Sequence, residues 1–227
     1  MVDIEKEIQS KKDPIQAKIL SRFFKTGKGQ YGEGDIFLGV TVPILRTIVK
    51  KYYKDISLKD VQKLLNSKIH EYRLTALLIL VEKYKEDKEL IYNIYVKNFR
   101  NINNWDLVDL TAPKIMGDFL KDKNRDILYS LATSNNLWEK RISIVATFAF
   151  IKDNDFKDTL KISEILLKDE HDLIHKAVGW MLREVGKRNK DFEKEFLDKY
   201  YRIMPRTMLR YSIEKFDPKE KEFYMKK

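Results

Sequence analysis

Apolar residues recur three and four positions apart along most of the chain. Tyr72, Ala76, Leu77, Leu80 and Tyr84 form one such series, and Ile142, Val145, Ala146 and Ala149 another. That spacing lays an apolar stripe along one helix face. No run alternates as a half-buried strand does, and no two-residue hairpin signal occurs. The pattern predicts an all-α chain of about a dozen helices of ordinary length. Pro43 suits the first turn of a helix running toward Tyr53. Ser57 and Asn104 are candidate N-caps. Asn135 and Asn136 precede a helix expected to reach about Lys152. Pro205 fits the start of a helix ending near Phe216, and Asp217-Pro218 opens the last one. Of 8 glycines, Gly27, Gly29, Gly32, Gly34 and Gly39 fall in one loop. No low-complexity linker interrupts the pattern, so residues 1–227 are expected to form one domain.

Four basic residues open apolar helical windows in a common register. Arg73 lies in Glu-Tyr-Arg-Leu-Thr-Ala and Arg141 in Glu-Lys-Arg-Ile-Ser-Ile. Lys176 lies in Ile-His-Lys-Ala-Val-Gly and Arg210 in Met-Leu-Arg-Tyr-Ser-Ile. Their separations are 68, 35 and 34 residues, and the midpoint of the first gap is Leu107. A period of 34 to 35 residues, with a second helix between successive windows, describes stacked helical hairpins. The early Trp, Leu-Gly and Tyr of a tetratricopeptide unit do not recur, so looser HEAT-like pairing fits better. Equivalent positions in such a stack form a row. Arg73, Arg141, Lys176 and Arg210 would then line one face as a phosphate footprint, or each would bridge to a neighbouring repeat.

Composition narrows the partners. The 227 residues carry 45 Lys plus Arg against 35 Asp plus Glu, a formal charge of +10 that favours a polyanion, nucleic acid first. The longest stretch free of Asp, Glu, Lys and Arg, Ile127 to Trp138, has 12 residues, too few to span a bilayer. The acidic N-terminus does not resemble a secretory signal, and a cytoplasmic location is expected. With 0 cysteines, disulfides, thiolate metal sites and a cysteine nucleophile are excluded.

Two motifs invite readings their context does not support. Gly27-Lys28-Gly29-Gln30-Tyr31-Gly32 matches G-x-G-x-x-G, but the preceding segment is helical in pattern and Glu33 to Val42 opens no helix. A connecting loop is expected. His171 and His175 sit one turn apart in His-Asp-Leu-Ile-His, yet Asp replaces the Glu that the metalloprotease motif needs. A helix start is expected, with no metal and no cofactor.

Trp105 and Asp109, four residues apart, share a helix face, whereas Asp106 points elsewhere. Pro113 should kink or end this helix. An indole beside a carboxylate can hold a cation. Core packing of Trp105 and a salt bridge from Asp109 to Arg141 are the plainer alternatives. An acid flanked by aromatics, within a basic row, suits a ligand that itself carries positive charge.

Several separated segments resemble the DNA alkylation repair family of AlkD-like glycosylases. They are Gly34-Asp35-Ile36-Phe37-Leu38-Gly39-Val40, Asn104-Trp105-Asp106-Leu107-Val108-Asp109, Leu137-Trp138-Glu139-Lys140-Arg141, Lys176 to Glu184, and Pro205 to Tyr211. The resemblance runs from about Gly27 to Phe216. It implies a right-handed α-α superhelix of HEAT-like repeats with a basic concave cleft for duplex DNA. It also implies excision of purines alkylated at N3 or N7 by hydrolysis of the N-glycosidic bond. On it, Asp109, Trp105 and Arg141 map to catalytic positions, and Trp180 and Arg183 to DNA contacts. Arg73, Lys176, Arg210 and Arg46 complete the expected DNA-binding set. A monomer acting on DNA carrying alkylated bases, without metal, cofactor or membrane, is the expectation. A non-catalytic binder of branched or damaged DNA and a scaffold for an acidic protein are the competing readings.

Overall fold

The structure is a computed structural model that describes residues 3–226. Among these residues there is no β-strand, only an isolated parallel bridge between Ile36 and Ile69. The fold is all-α and built of helical repeats. No helix of the described residues is long and apolar enough to cross a membrane. The chain divides into two compact units, Met1–Thr111 and Ala112–Lys227.

The first unit contains α1 (Asp3–Ser10), α2 (Pro14–Phe23), α3 (Val42–Tyr52), α4 (Leu58–Leu65), α5 (His70–Lys83), α6 (Lys88–Lys97) and α7 (Trp105–Thr111). Asp13 caps α2, Ser57 caps α4 and Asp87 caps α6 through backbone N–H groups of their first turns. α5 is its hub, packing against α3, α4, α6 and α7. Every residue of α5 from His70 to Leu80 is buried. A helix buried on all sides keeps a polar residue only where a partner meets it. The loop between α2 and α3 is fastened to α5 by Glu71, whose carboxylate accepts from the backbone N–H groups of Leu38, Gly39 and Val40 at 2.8–3.2 Å. Gly39 has φ +90°, and a Cβ there would lie 2.1 Å from the Asp13 carbonyl oxygen. Only glycine fits that crossing.

The second unit begins with a π-helical turn, Pro113–Gly117, closed by Gly117 N–H donating to the Ala112 carbonyl at 2.8 Å. Pro113 thus ends the preceding helix, as its missing N–H demands. There follow α8 (Asp126–Ala132), α9 (Leu137–Ala146), α10 (Phe148–Lys152), α11 (Lys157–Ile165), α12 (Asp172–Arg188), α13 (Lys190–Tyr200), α14 (Arg206–Ser212) and α15 (Pro218–Met225). α12 is the hub, packing against α9, α10, α11, α13 and α14. Asn136 and Asp217 cap α9 and α15 as expected. The helix expected to run unbroken to Lys152 breaks at Thr147. There the Thr147 hydroxyl donates back to the Ile144 carbonyl at 2.6 Å, which competes with the helical ladder.

The 34-to-35-residue register falls on helices throughout. Arg73 is on α5, Leu107 on α7, Arg141 on α9, Lys176 on α12 and Arg210 on α14. Within each unit these equivalent helices pack in sequence, α5 on α7, α9 on α12 and α12 on α14.

Candidate functional site

α7 is seven residues long and pinned at both ends. At its start, Asn104 Oδ1 accepts from Trp105 N–H at 2.9 Å, and Asp106 Oδ1 from Leu107 N–H at 2.9 Å. At its end the fully buried Tyr95 hydroxyl lies 3.0 Å from the Thr111 hydroxyl, which in turn bonds the Leu107 carbonyl. Between these points Trp105 and Asp109, one turn apart, are half-buried, while Asp106 is turned inward and buried. Burial raises the Tyr95 hydroxyl well above its ordinary value; the bond with Thr111 opposes this and the negative charge of Asp109 adds to it.

The Trp105 ring is held by two phenylalanines of the α2 end. It stacks on Phe24 at 5.0 Å between centroids and 7° between planes, and meets the edge of Phe23 at 5.8 Å. Phe24 stacks in turn on Phe37 at 5.0 Å, and Phe37 on the His70 imidazole at 4.5 Å. One continuous aromatic column therefore joins Trp105 to the start of α5.

His70 ends that column inside a polar cluster. Its Nδ1 lies 3.1 Å from Asp35 Oδ2 and its Nε2 2.8 Å from Asp106 Oδ2. Asp35 Oδ1 also receives Arg73 Nη2 at 2.6 Å, and Arg73 Nη1 donates to the Ser67 carbonyl at 2.8 Å. Burial alone would lower the His70 pKa, but the Asp106 charge and bonds to both carboxylates outweigh it and raise it to about 9. Asp35 is also desolvated, yet His70 and Arg73 bring its carboxyl below the usual range.

In the second unit, Arg141 is buried on α9 and donates to the Leu173 carbonyl. Trp180 is half-buried on α12 against Phe148, 5.9 Å between centroids. Arg183 pairs with Glu214 and lies 3.5 Å from Glu184. Lys176 pairs with Asp172 at 2.7 Å one turn earlier. Arg210 is exposed on α14, and in the first unit Arg46 is exposed on α3. His171 caps α12, its Nδ1 accepting from Leu173 N–H at 3.1 Å, while His175 Nε2 bonds the Asp169 carbonyl.

The structure thus corrects one member of the expected phosphate row. Arg73 is 3% exposed, with its guanidinium spent on Asp35 and Ser67, so it ties the loop before α3 to α5 instead of facing a ligand. Asp35, His70 and Asp106 form a cluster that no local motif marks. Its trace in the sequence is a spacing of 35 and 36 residues, close to the period of the basic row.

The match to known families agrees with this architecture. The family model described as DNA alkylation repair enzyme matches residues 4–216, and the chain belongs to that family. Among curated proteins none matches. A solved structure from Enterococcus faecalis, titled a predicted DNA alkylation repair enzyme, is similar to this chain at 16% identity. The similarity covers 92% of this chain and 98% of that one with a TM-score of 0.71, which shows a shared fold. An enzyme of DNA alkylation repair is therefore the class to which the chain belongs.

Proposed function

We propose that this protein is a DNA glycosylase that excises purines made cationic by alkylation at N3 or N7, with Asp109 as the group that answers the developing charge. The observation that carries the reading is the pairing of Trp105 and Asp109, one turn apart on a short helix pinned at both ends, in a chain of this family. An alkylated purine already carries positive charge and leaves readily, so little general acid is needed. As the glycosidic bond stretches, cationic character grows on the deoxyribose. The Asp109 carboxylate would stabilise that oxocarbenium-like state and orient water onto C1′. The water adds its oxygen to C1′, its proton is lost, and the base departs with the bonding electron pair.

The Trp105 ring, fixed by its stack on Phe24, would contact the sugar through its face. The family resemblance assigns Arg141, on α9, a catalytic role and Trp180, on α12, a DNA contact. Arg183, Lys176, Arg210 and Arg46 would hold the phosphates of duplex DNA and fix its register. In this reading residues 1–227 act as one domain, as a monomer on DNA in the cytoplasm, without metal or cofactor. Single-turnover release of 3-methyladenine and 7-methylguanine from alkylated duplex tests it. The wild type should release base, and Asp109→Asn should bind DNA without releasing it. Release by Asp109→Asn at the wild-type rate, or none by the wild type, overturns the proposal.

A further inference from the structure

The His70 cluster lies beside the helix that carries Trp105 and Asp109. Both ring nitrogens of His70 face carboxylate oxygens, Asp35 on one side and Asp106 on the other. A neutral imidazole has one N–H donor and one lone pair. Placed here, its lone pair would point at a buried carboxylate oxygen within hydrogen-bond distance, which is repulsive. Only the imidazolium donates on both sides. Charge balance agrees: Asp35 and Asp106 are answered by Arg73 and a protonated His70, and removing that proton leaves one uncompensated buried charge.

We propose that His70 is held as an imidazolium clamp at neutral pH, a positioning residue that neutralises Asp106, fixes the first turn of α7 and so sets Trp105 and Asp109 in their working arrangement. The functional half of this proposal rests on the glycosylase reading of Asp109.

Two links lead from His70 to α7. The first is the bond from Nε2 to Asp106, the residue next to Trp105. The second is the aromatic column, in which the imidazole lies 5.0 Å from the Phe24 ring that stacks on the indole. The clamp also gives the two acids of α7 different roles. Asp106 is consumed as a structural anion, which leaves Asp109 as the acid whose charge bears on the substrate. The charged groups facing the ring are Asp35 from the loop before α3, Asp106 from α7 and Arg73 from its own helix. The neighbouring Glu71 is turned to the Leu38–Val40 backbone.

Nitrogen-15 NMR of the full chain tests the clamp without any DNA. At pH 7.5 both His70 nitrogens should carry protons, and they should lose one with a midpoint near 9. The indole N–H signal of Trp105 should move with that midpoint. A lone-pair nitrogen on His70 at pH 7.5, or a Trp105 signal indifferent to the transition, overturns the clamp.

Activity tests the positioning role. His70→Gln should slow single-turnover release of 7-methylguanine by about 10- to 100-fold. Its DNA affinity should stay within about threefold, a change worth well under 1.4 kcal/mol. Adding Asp106→Asn to His70→Gln restores the charge balance and should recover most of the rate. Wild-type rates in His70→Gln, or no recovery in the double variant when both remain folded, remove the positioning role. If the wild type itself releases no base, the glycosylase reading falls and the NMR experiment alone decides the clamp.

Discussion

The indole of Trp105 lies flat on the ring of Phe24, 7° from parallel, so the orientation of the candidate site is set by a residue outside α7. Phe24 follows the last turn of α2 and is 7% exposed. Phe24→Ala should destabilise the first unit by about 3–5 kcal/mol, the usual cost of truncating a buried phenylalanine. Phe24→Leu keeps most of the apolar volume and should lose only about 0.5–1.5 kcal/mol beyond its area term, from the broken stack. Urea unfolding followed by tryptophan fluorescence measures both. A loss in Phe24→Leu no larger than its area term would show that stacking adds nothing to burial.

The proton on His70 makes stability depend on pH. Folding raises its pKa from the ordinary 6.5 of a histidine to about 9, so the stabilisation is complete below about pH 6.5 and disappears as pH rises through 9. Linkage sets the size on the order of 3 kcal/mol. Wild type should therefore weaken across that window in a series of unfolding curves, and His70→Gln should not show this component.

Glu193 contributes a second component with a different window. It is 1% exposed on α13, and burial pushes its carboxyl up to about 8, against opposing pulls from Lys190 and Arg183. Gly186 leaves the space it fills, since a Cβ there would fall 1.6 Å from Glu193 Oε2. A carboxyl whose folded pKa is raised costs nothing below about pH 4.5. It costs progressively more as pH climbs toward 8. Glu193→Gln should accordingly stabilise the second unit at pH 8 by a few kcal/mol and leave pH 4 unchanged, up to about the limit of linkage. Thermal melts at both pH values provide the comparison. A destabilised variant at pH 8 would show that the ionised form is accommodated.

Arg46 and Arg210 are exposed, which makes them cleaner probes of phosphate binding than the buried Arg141. Each change to Ala should weaken binding to any duplex sequence. Each should also reduce the slope of log K against log salt by about 0.9. Fluorescence anisotropy at several salt concentrations reads the slope, and an unchanged slope removes that residue from the interface.

Much of this was legible in the chain because helix signals are local. Pro43, Ser57, Asn136 and Asp217 each mark a boundary through their own backbone or side-chain chemistry, and the structure places helix starts beside them. Periodicity placed Arg73, Arg141, Lys176 and Arg210 on equivalent helices, but a period says nothing about partners. Arg73 found Asp35, 38 residues earlier, and the choice between phosphate contact and internal bridge was decided by that pairing. The role of His70 is not legible in the chain, because its carboxylates are distant in sequence and adjacent only after folding. Nor is the break at Thr147, because a hydroxyl that back-bonds leaves no mark on apolar spacing.

From His70 to Leu80, no side of α5 meets water. Fraying at the ends cannot loosen its middle amides, so they should exchange with deuterium only when the whole N-terminal unit opens. The slowest amides in the first half of the chain then act as a gauge of its global unfolding. Because His70 is the first residue of that helix, the same gauge should register the loss of its proton.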